Sequence, residues 1–197
     1  MARETSRREE LAQAATDYVL QHGLIGLSLR PLAAAIGTSD RMVLYHFDDK
    51  DDLVATVLRV SNDRSVAAIR ALPPARDVRE AVLQLWQTVT RPELVGCQRM
   101  YVEAAALGLF GREPYAGVVG AANDVWMSAV ADHLVASGAS RRRAARATTL
   151  LDSAFSGFLL DSPFGDGEGD GEADTTKRQA VRDLADAVAV VAGQGSA

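Results

Sequence analysis

The chain has 197 residues, a net charge of −5 and 48 % hydrophobic residues, enough apolar material for the core of one or two domains. Its single cysteine, Cys97, excludes an internal disulfide and a cysteine-based metal centre and favours a reducing compartment. No apolar run reaches the ~18 residues of a membrane span, and the charged N-terminus lacks the apolar core of a signal peptide, so we expect a soluble, cytoplasmic protein without membrane contact.

Apolar residues recur at helical spacing along most of the chain, which predicts an all-α fold of about nine helices. The first helix ends near His22 and carries one apolar face: Leu11, Ala14, Ala15, Tyr18 and Val19. Ser28 is expected to cap a short second helix, with Pro31 in its first turn and Gly37 after its end.

A third and a fourth helix follow directly. Ser39 can cap the third, which runs through Tyr45, and either Asp48 or Asp49 can cap the fourth. The fourth is predicted over residues 50–71, because a Pro-Pro pair then prevents its continuation.

The rest of the chain predicts five more helices. Their apolar stripes run from about Val78 to Val89, Leu94 to Ala105, Val118 to Leu134, Ala147 to Leu159 and Val181 to Val191. Between the last two lies the glycine-rich segment DSPFGDGEGDGEAD. Its acidic spacing from Asp166 matches the start of a calcium loop, but Lys177 stands where a bidentate Glu is required, so we predict no metal site and no cofactor.

Two short helices separated by Gly37-Thr38 and stacked on a first helix predict a helix-turn-helix. We therefore expect a DNA-binding domain over residues 1–50 and a larger ligand-binding and dimerisation domain over residues 51–197. Helix four, at about 50–71, connects the two.

The third helix has the features of a recognition helix. Val43 and Phe47 can face the core, while Arg41 can bind a guanine edge and Met42 can pack on a thymine methyl. Lys50 can hold a phosphate at the start of the next helix, where we expect it to be the only nearby cation. The predicted DNA-contacting residues are Ser28, Arg30, Thr38, Ser39, Asp40, Arg41, Met42, Tyr45, His46 and Lys50.

The stretch LSLRPLAAAIGTSDRMVLYHFDDKDDLVATVL resembles the DNA-binding head of tetracycline-repressor (TetR) family transcriptional regulators. The matching positions are Ser28, Ala33 to Gly37, Ser39, Tyr45-His46-Phe47 and Lys50. The sequence departs from the family pattern at Arg41 and Met42. It also has Leu44 where a phosphate-contacting tyrosine is usual, and we expect Tyr45 or His46 to replace that contact.

The resemblance implies a repressor that binds a palindromic operator in double-stranded DNA as a homodimer and is released by a small molecule. Family members pair their last two helices into a four-helix bundle, and the stripes on helices eight and nine are wider than one chain's core requires. The predicted dimer interface is Leu151, Phe155, Phe158, Leu159, Leu184, Val188 and Val191.

Aromatic and methionine residues of the larger domain are candidates for an apolar ligand pocket. They are Trp86, Met100, Tyr101, Phe110, Tyr115, Trp126, Met127 and Phe155. No charged residue is obviously committed to the interior, which favours an uncharged or lipophilic ligand. The same residues could instead form a filled core.

Two other classes of function remain open. A helical adaptor protein without ligand control would leave the polar outer face of helix three unexplained. An enzyme is the weakest alternative, because the sequence has no Gly-rich phosphate loop, no GxSxG motif and no metal-ligand spacing.

Overall fold

The computed structural model describes residues 2–161 and 171–193. Within these residues the chain forms nine helices and no strand, which confirms the all-α prediction. They are α1 (Ala2–His22), α2 (Leu29–Ala35), α3 (Asp40–His46), α4 (Lys50–Arg70), α5 (Val78–Val89), α6 (Pro92–Leu109), α7 (Tyr115–Ala136), α8 (Arg141–Leu160) and α9 (Gly171–Ala192). The glycine-rich segment considered for calcium lies mostly outside the described residues.

Side-chain hydrogen bonds to backbone N–H groups mark the starts of α3 and α4. The Ser39 hydroxyl accepts a hydrogen bond from Met42 N at 3.2 Å, which caps α3 as predicted. Asp49, one of the two candidate caps for α4, accepts from Asp52 N at 2.8 Å. Ser28 occupies the N-cap position of α2, but its side chain makes no capping bond. The prediction that the Ser28 side chain caps α2 is therefore wrong.

The first compact unit comprises Met1–Ser65 and Pro92–Asp124, so it contains α6 as well as the predicted helix-turn-helix. The largest buried side chains of its core come from α1, the following turn, α2, α3, α4 and α6: Val19, Leu24, Leu32, Phe47, Leu53 and Met100. Burial of these apolar groups is the main favourable term that holds the short helices in place.

The second compact unit comprises Val66–Arg91 and Val125–Ala197. Its core includes Ile69, Leu85, Leu134, Leu151 and Val188, contributed by the last turn of α4 and by α5, α7, α8 and α9. This core also contains polar atoms without a hydrogen-bond partner among the described residues, His133 Nε2 and Thr148 Oγ1 among them.

The buried His133 should make folding stability depend on pH. Burial lowers its pKa below the ordinary 6.5, so the folded protein holds the ring neutral while the unfolded chain binds a proton near pH 6.5. The contribution of His133 to the unfolding free energy is fully present above pH 6.5 and is lost as pH falls toward the folded-state pKa. The loss is at most about 1.4 kcal/mol per pH unit.

We expect His133→Gln to reduce the loss of unfolding free energy between about pH 7.5 and pH 5.5, measured by urea denaturation. His22→Gln, on the exposed end of α1, is the control for the His-to-Gln change itself. Equal pH dependence in the parent and in His133→Gln would contradict the assignment to His133.

Candidate nucleic-acid interface

Helix α3 divides into a buried face and an exposed face, as the sequence predicted. Val43 and Phe47 are each only 1 % exposed and belong to the core of the first unit. Arg41 lies on the outer face, together with Met42 and Tyr45, which are 44 % and 67 % exposed. Side chains able to reach a base edge thus share one accessible surface.

The other predicted DNA-contacting residues lie around this surface or beside it. Most are exposed, whereas Thr38 and His46 are half-buried; the exposed ones are Ser28, Arg30, Ser39, Asp40, Arg41, Met42, Tyr45 and Lys50. Leu44 is 46 % exposed and lines a shallow open groove with Asp40, Arg41 and Tyr45. Two charged side chains and a phenol therefore flank an apolar side chain on the outer face.

Arg8 of α1 secures the end of α3. Its Nε donates to the His46 carbonyl at 2.8 Å, its guanidinium pairs with Asp52 at 2.7 Å, and it lies 4.8 Å from the Phe47 ring centroid. The last carbonyls of a helix lack internal partners, so this bond satisfies a group that would otherwise need water. The expectation that Lys50 is the only nearby cation is wrong, because α1 brings Arg8 to the same place.

Lys50 has a structural contact that the sequence did not predict. Its ammonium donates to the Leu27 carbonyl at 2.5 Å, which ties the start of α4 to the residue just before the N-cap of α2. An ammonium has three donors, so this bond leaves donor capacity for a phosphate oxygen. The predicted phosphate contact of Lys50 stays a prediction.

Glu103 of α6 holds the turn between α1 and α2. Its Oε2 accepts hydrogen bonds from Leu24 N at 2.6 Å and from Ile25 N at 2.7 Å. The carboxylate also lies 3.4 Å from where a Cβ on Gly23 would be, and Gly23 has a φ of +86° that favours glycine. The only sequence clue to Glu103 is one acidic residue in the apolar run YVEAAALGLF.

The candidate ligand residues are divided between the two units. Trp86, Trp126, Met127 and Phe155 belong to the second unit, and Met100, Tyr101, Phe110 and Tyr115 belong to the first. Met100 is packed into the core beneath the helix-turn-helix, and Phe110 is 84 % exposed at the end of α6. Neither is placed as an interior pocket residue would be.

The candidate dimer residues lie largely inside the second unit. Leu151, Phe155, Leu184 and Val188 are buried in its core, and Phe158, Leu159 and Val191 are half-buried. The exposed large apolar residues in the described parts of α8 and α9 are instead Leu150, Leu160 and Val190, at 40 %, 49 % and 60 % exposure.

No group of three or more His, Cys, Asp or Glu among the described residues could hold a metal ion. Across the same residues, no helix is both long enough and apolar enough to cross a membrane.

Residues 11–57 match the family model described as bacterial regulatory proteins, tetR family. This range contains the whole helix-turn-helix and the first turns of α4. No curated protein matches the chain in sequence.

Solved structures match over nearly the whole chain. A Rhodococcus sp. protein described as a TetR-family transcriptional regulator is 22 % identical with a TM-score of 0.69, covering 96 % of this chain and 100 % of its own. The multidrug binding protein EbrR, solved with imidazole, is 28 % identical with a TM-score of 0.59, covering 90 % and 94 %. A Saccharomonospora viridis protein described as a transcriptional regulator, solved with choline, is 19 % identical with a TM-score of 0.66, covering 91 % and 95 %.

We expect Arg41 to read a base and Lys50 to contribute affinity without sequence preference. Arg41→Ala should cost about 1–3 kcal/mol on the preferred DNA and relax selection at one base pair, because a bidentate contact is lost. Lys50→Ala should weaken all duplexes alike. Fluorescence anisotropy on preferred and scrambled duplexes measures both, and equal weakening of the two duplexes by Arg41→Ala would contradict base readout.

We expect Glu103→Ala to weaken DNA binding although Glu103 lies outside the helix-turn-helix. Two backbone N–H groups in the α1–α2 turn lose their acceptor, which should lower the unfolding free energy by about 1–3 kcal/mol. Glu103→Gln keeps an oxygen acceptor and should lose less. Glu93→Ala, in the exposed first turn of α6, is the control. A Glu103→Ala variant with the parent's stability and DNA affinity would show that this contact does not position the turn.

Proposed function

We propose that this chain, a TetR-family DNA-binding transcriptional regulator, is a repressor that binds a palindromic operator as a homodimer and is released by a small organic ligand. The observation that carries the proposal is the exposed face of α3, whose side chains point outward while its opposite face is buried. A helix of this length fits the major groove and can present base-reading groups there.

The small size of the exposed outer face of α3 favours operator binding by a dimer. A seven-residue recognition helix makes few base contacts, and two-fold symmetry doubles them on an inverted repeat. Residues 1–50 supply the DNA contacts in this proposal, and residues 51–197 supply ligand binding and dimerisation. Helix α4, continuous from Lys50 to Arg70, is the covalent connection.

The dimer surface that we propose is the outer face of α8 and α9. Most of the stripe predicted from the sequence packs in the chain's own core, so we propose that the exposed residues beside it contact the partner. On α8, Leu150 and Leu160 share a helical face with Ser153 and Gly157, and Gly157 has open space beside it. Small residues on such a face allow close approach of a second helix. On α9, Val190 is the exposed apolar residue.

Ligand control is supported by the proteins that share this fold. EbrR has been solved with imidazole and with ethidium, and the Saccharomonospora viridis protein with choline. We propose that the second unit of this chain takes a small organic molecule in the same way. We propose that the chain has no catalytic activity. We also propose that it is cytoplasmic, where the chromosome of a bacterial cell is accessible.

Selection from a random duplex library tests the function and the assembly together. The parent should enrich an inverted repeat whose half-sites lie about 34–36 Å apart, one helical turn of DNA. The Val190→Glu substitution should place a charge on the proposed interface. The variant should elute as a monomer in size-exclusion chromatography and should no longer enrich the inverted repeat. Val95→Glu replaces a valine that is 37 % exposed on α6, and it should behave as the parent.

Failure of the parent to enrich any sequence would contradict a DNA-binding repressor. A Val190→Glu variant that stays dimeric would leave DNA binding intact but reject the proposed interface.

A further inference from the structure

Asp152 is a carboxylate in surroundings that disfavour its charge. It lies half-buried on α8 in the second unit, and its Oδ1 accepts a hydrogen bond from Trp126 Nε1 at 2.9 Å. Burial raises the pKa of Asp152, and the bond from Trp126 offsets only part of this effect. The second unit therefore keeps a carboxylate in a place that disfavours its charged form.

No cation of the described chain neutralises Asp152. It takes part in no ion pair among the described residues, although seven such pairs occur elsewhere in this part of the protein. The segments 162–170 and 194–197 contain no Lys, Arg or His, so they carry no side chain that could supply the positive charge. Among the described residues, the hydrogen-bond partner of Asp152 is the neutral indole N–H of Trp126.

Aromatic rings lie next to Asp152 in the same unit. Phe155 is one turn further along α8, and the Trp86 ring lies 5.0 Å from Phe155 and 5.7 Å from Phe158, edge to face in both cases. Trp86, Trp126 and Phe158 are half-buried, so they are not completely covered by their own unit. The region combines one carboxylate with partly accessible aromatic surface.

An ammonium group already contacts this aromatic surface. Lys177 Nζ of α9 lies 5.6 Å from the Trp86 ring centroid, within the distance over which the face of an indole attracts a cation. This contact shows that a positively charged nitrogen can approach Trp86.

We propose that Asp152, Trp86, Trp126 and Phe158 bind an organic cation that carries apolar or aromatic groups. The inference rests on the repressor proposed above, because it names the chemical class of that repressor's effector. The carboxylate would neutralise the charge and the rings would cover the apolar part. The sequence favoured an uncharged or lipophilic ligand and did not reveal a carboxylate in this position.

Other ligand classes fit these residues less well. A hydrated divalent metal requires several oxygen ligands, and Asp152 is a single carboxylate without a second acidic partner in any described metal-like group. An anion would be repelled by Asp152. A neutral molecule would remove more water from the carboxylate without compensating its charge.

Benzyltrimethylammonium is the probe, and benzylsulfonate is its counterpart of similar size and opposite charge. Both tryptophans of the chain, Trp86 and Trp126, belong to the proposed site, so selectively excited tryptophan fluorescence reports on this region. The cation should change the fluorescence in a saturable manner and raise the melting temperature of the purified full-length protein, whereas benzylsulfonate should do neither.

Asp152→Asn is the decisive variant, because its amide oxygen can still accept the Trp126 hydrogen bond. It should weaken binding of benzyltrimethylammonium about 10-fold or more. Without ligand it should melt no lower than the parent, because the disfavoured charge is gone. Asp132→Asn removes a carboxylate from the exposed side of α7 and should bind the cation as the parent does.

Three results would overturn the inference. They are equal binding by the parent and Asp152→Asn, equal binding of the cation and the sulfonate, and no response of the parent to benzyltrimethylammonium up to about 10 mM.

Release of bound DNA, measured separately by anisotropy, distinguishes this inference from the proposed function. Asp152-dependent binding of the cation without any release of DNA would support the site and reject ligand-controlled repression by it. Release of DNA by an uncharged compound, with no binding of the cation, would support the repressor and reject the site.

Discussion

The exposed outer face of α3 depends on one constraint, which is that α3 is too short to be stable by itself. A helix of seven residues makes few internal hydrogen bonds, and isolated helices of this length are unstable in water. Its position is therefore set by burial of Val43 and Phe47 in the core of the first unit. The same burial commits one face of the helix to the interior and leaves the other face exposed.

Polar contacts to backbone groups complete this positioning. Arg8 donates to the carbonyl of His46 at the end of α3, and Lys50 donates to the carbonyl of Leu27. Glu103 accepts from the backbone of the turn between α1 and α2. Each contact acts next to a helix end, where backbone groups have no partner within the helix. Because Glu103 belongs to α6, a shift of α6 relative to α1 would directly affect the geometry of the α1–α2 turn.

The second unit has a different balance between stability and function. Its core is mostly aliphatic, yet it retains a buried histidine and a half-buried carboxylate without an ionic partner in the described chain. Burial disfavours the charged form of each of these two groups. Unfavourable groups of this kind are expected where a binding site has been built at some expense to stability.

Local patterns in the sequence determined the helices and the register of the helix-turn-helix. Apolar periodicity and caps placed the start of α4 at Lys50, and they assigned Val43 and Phe47 to the interior. These features depend on residues within one or two helical turns of each other, so they can be read directly from the sequence.

Tertiary structure alone decided which apolar stripe of α8 is buried and which backbone groups the charged side chains bind. Leu150 and Leu151 are adjacent and equally apolar, but packing against neighbouring helices buries Leu151 and leaves Leu150 at the surface. Glu103 lies 79 residues from Leu24 in the chain, and such a pair has no characteristic spacing. Contacts of this kind follow from how the helices pack, because periodicity describes one helix at a time and does not identify its neighbour.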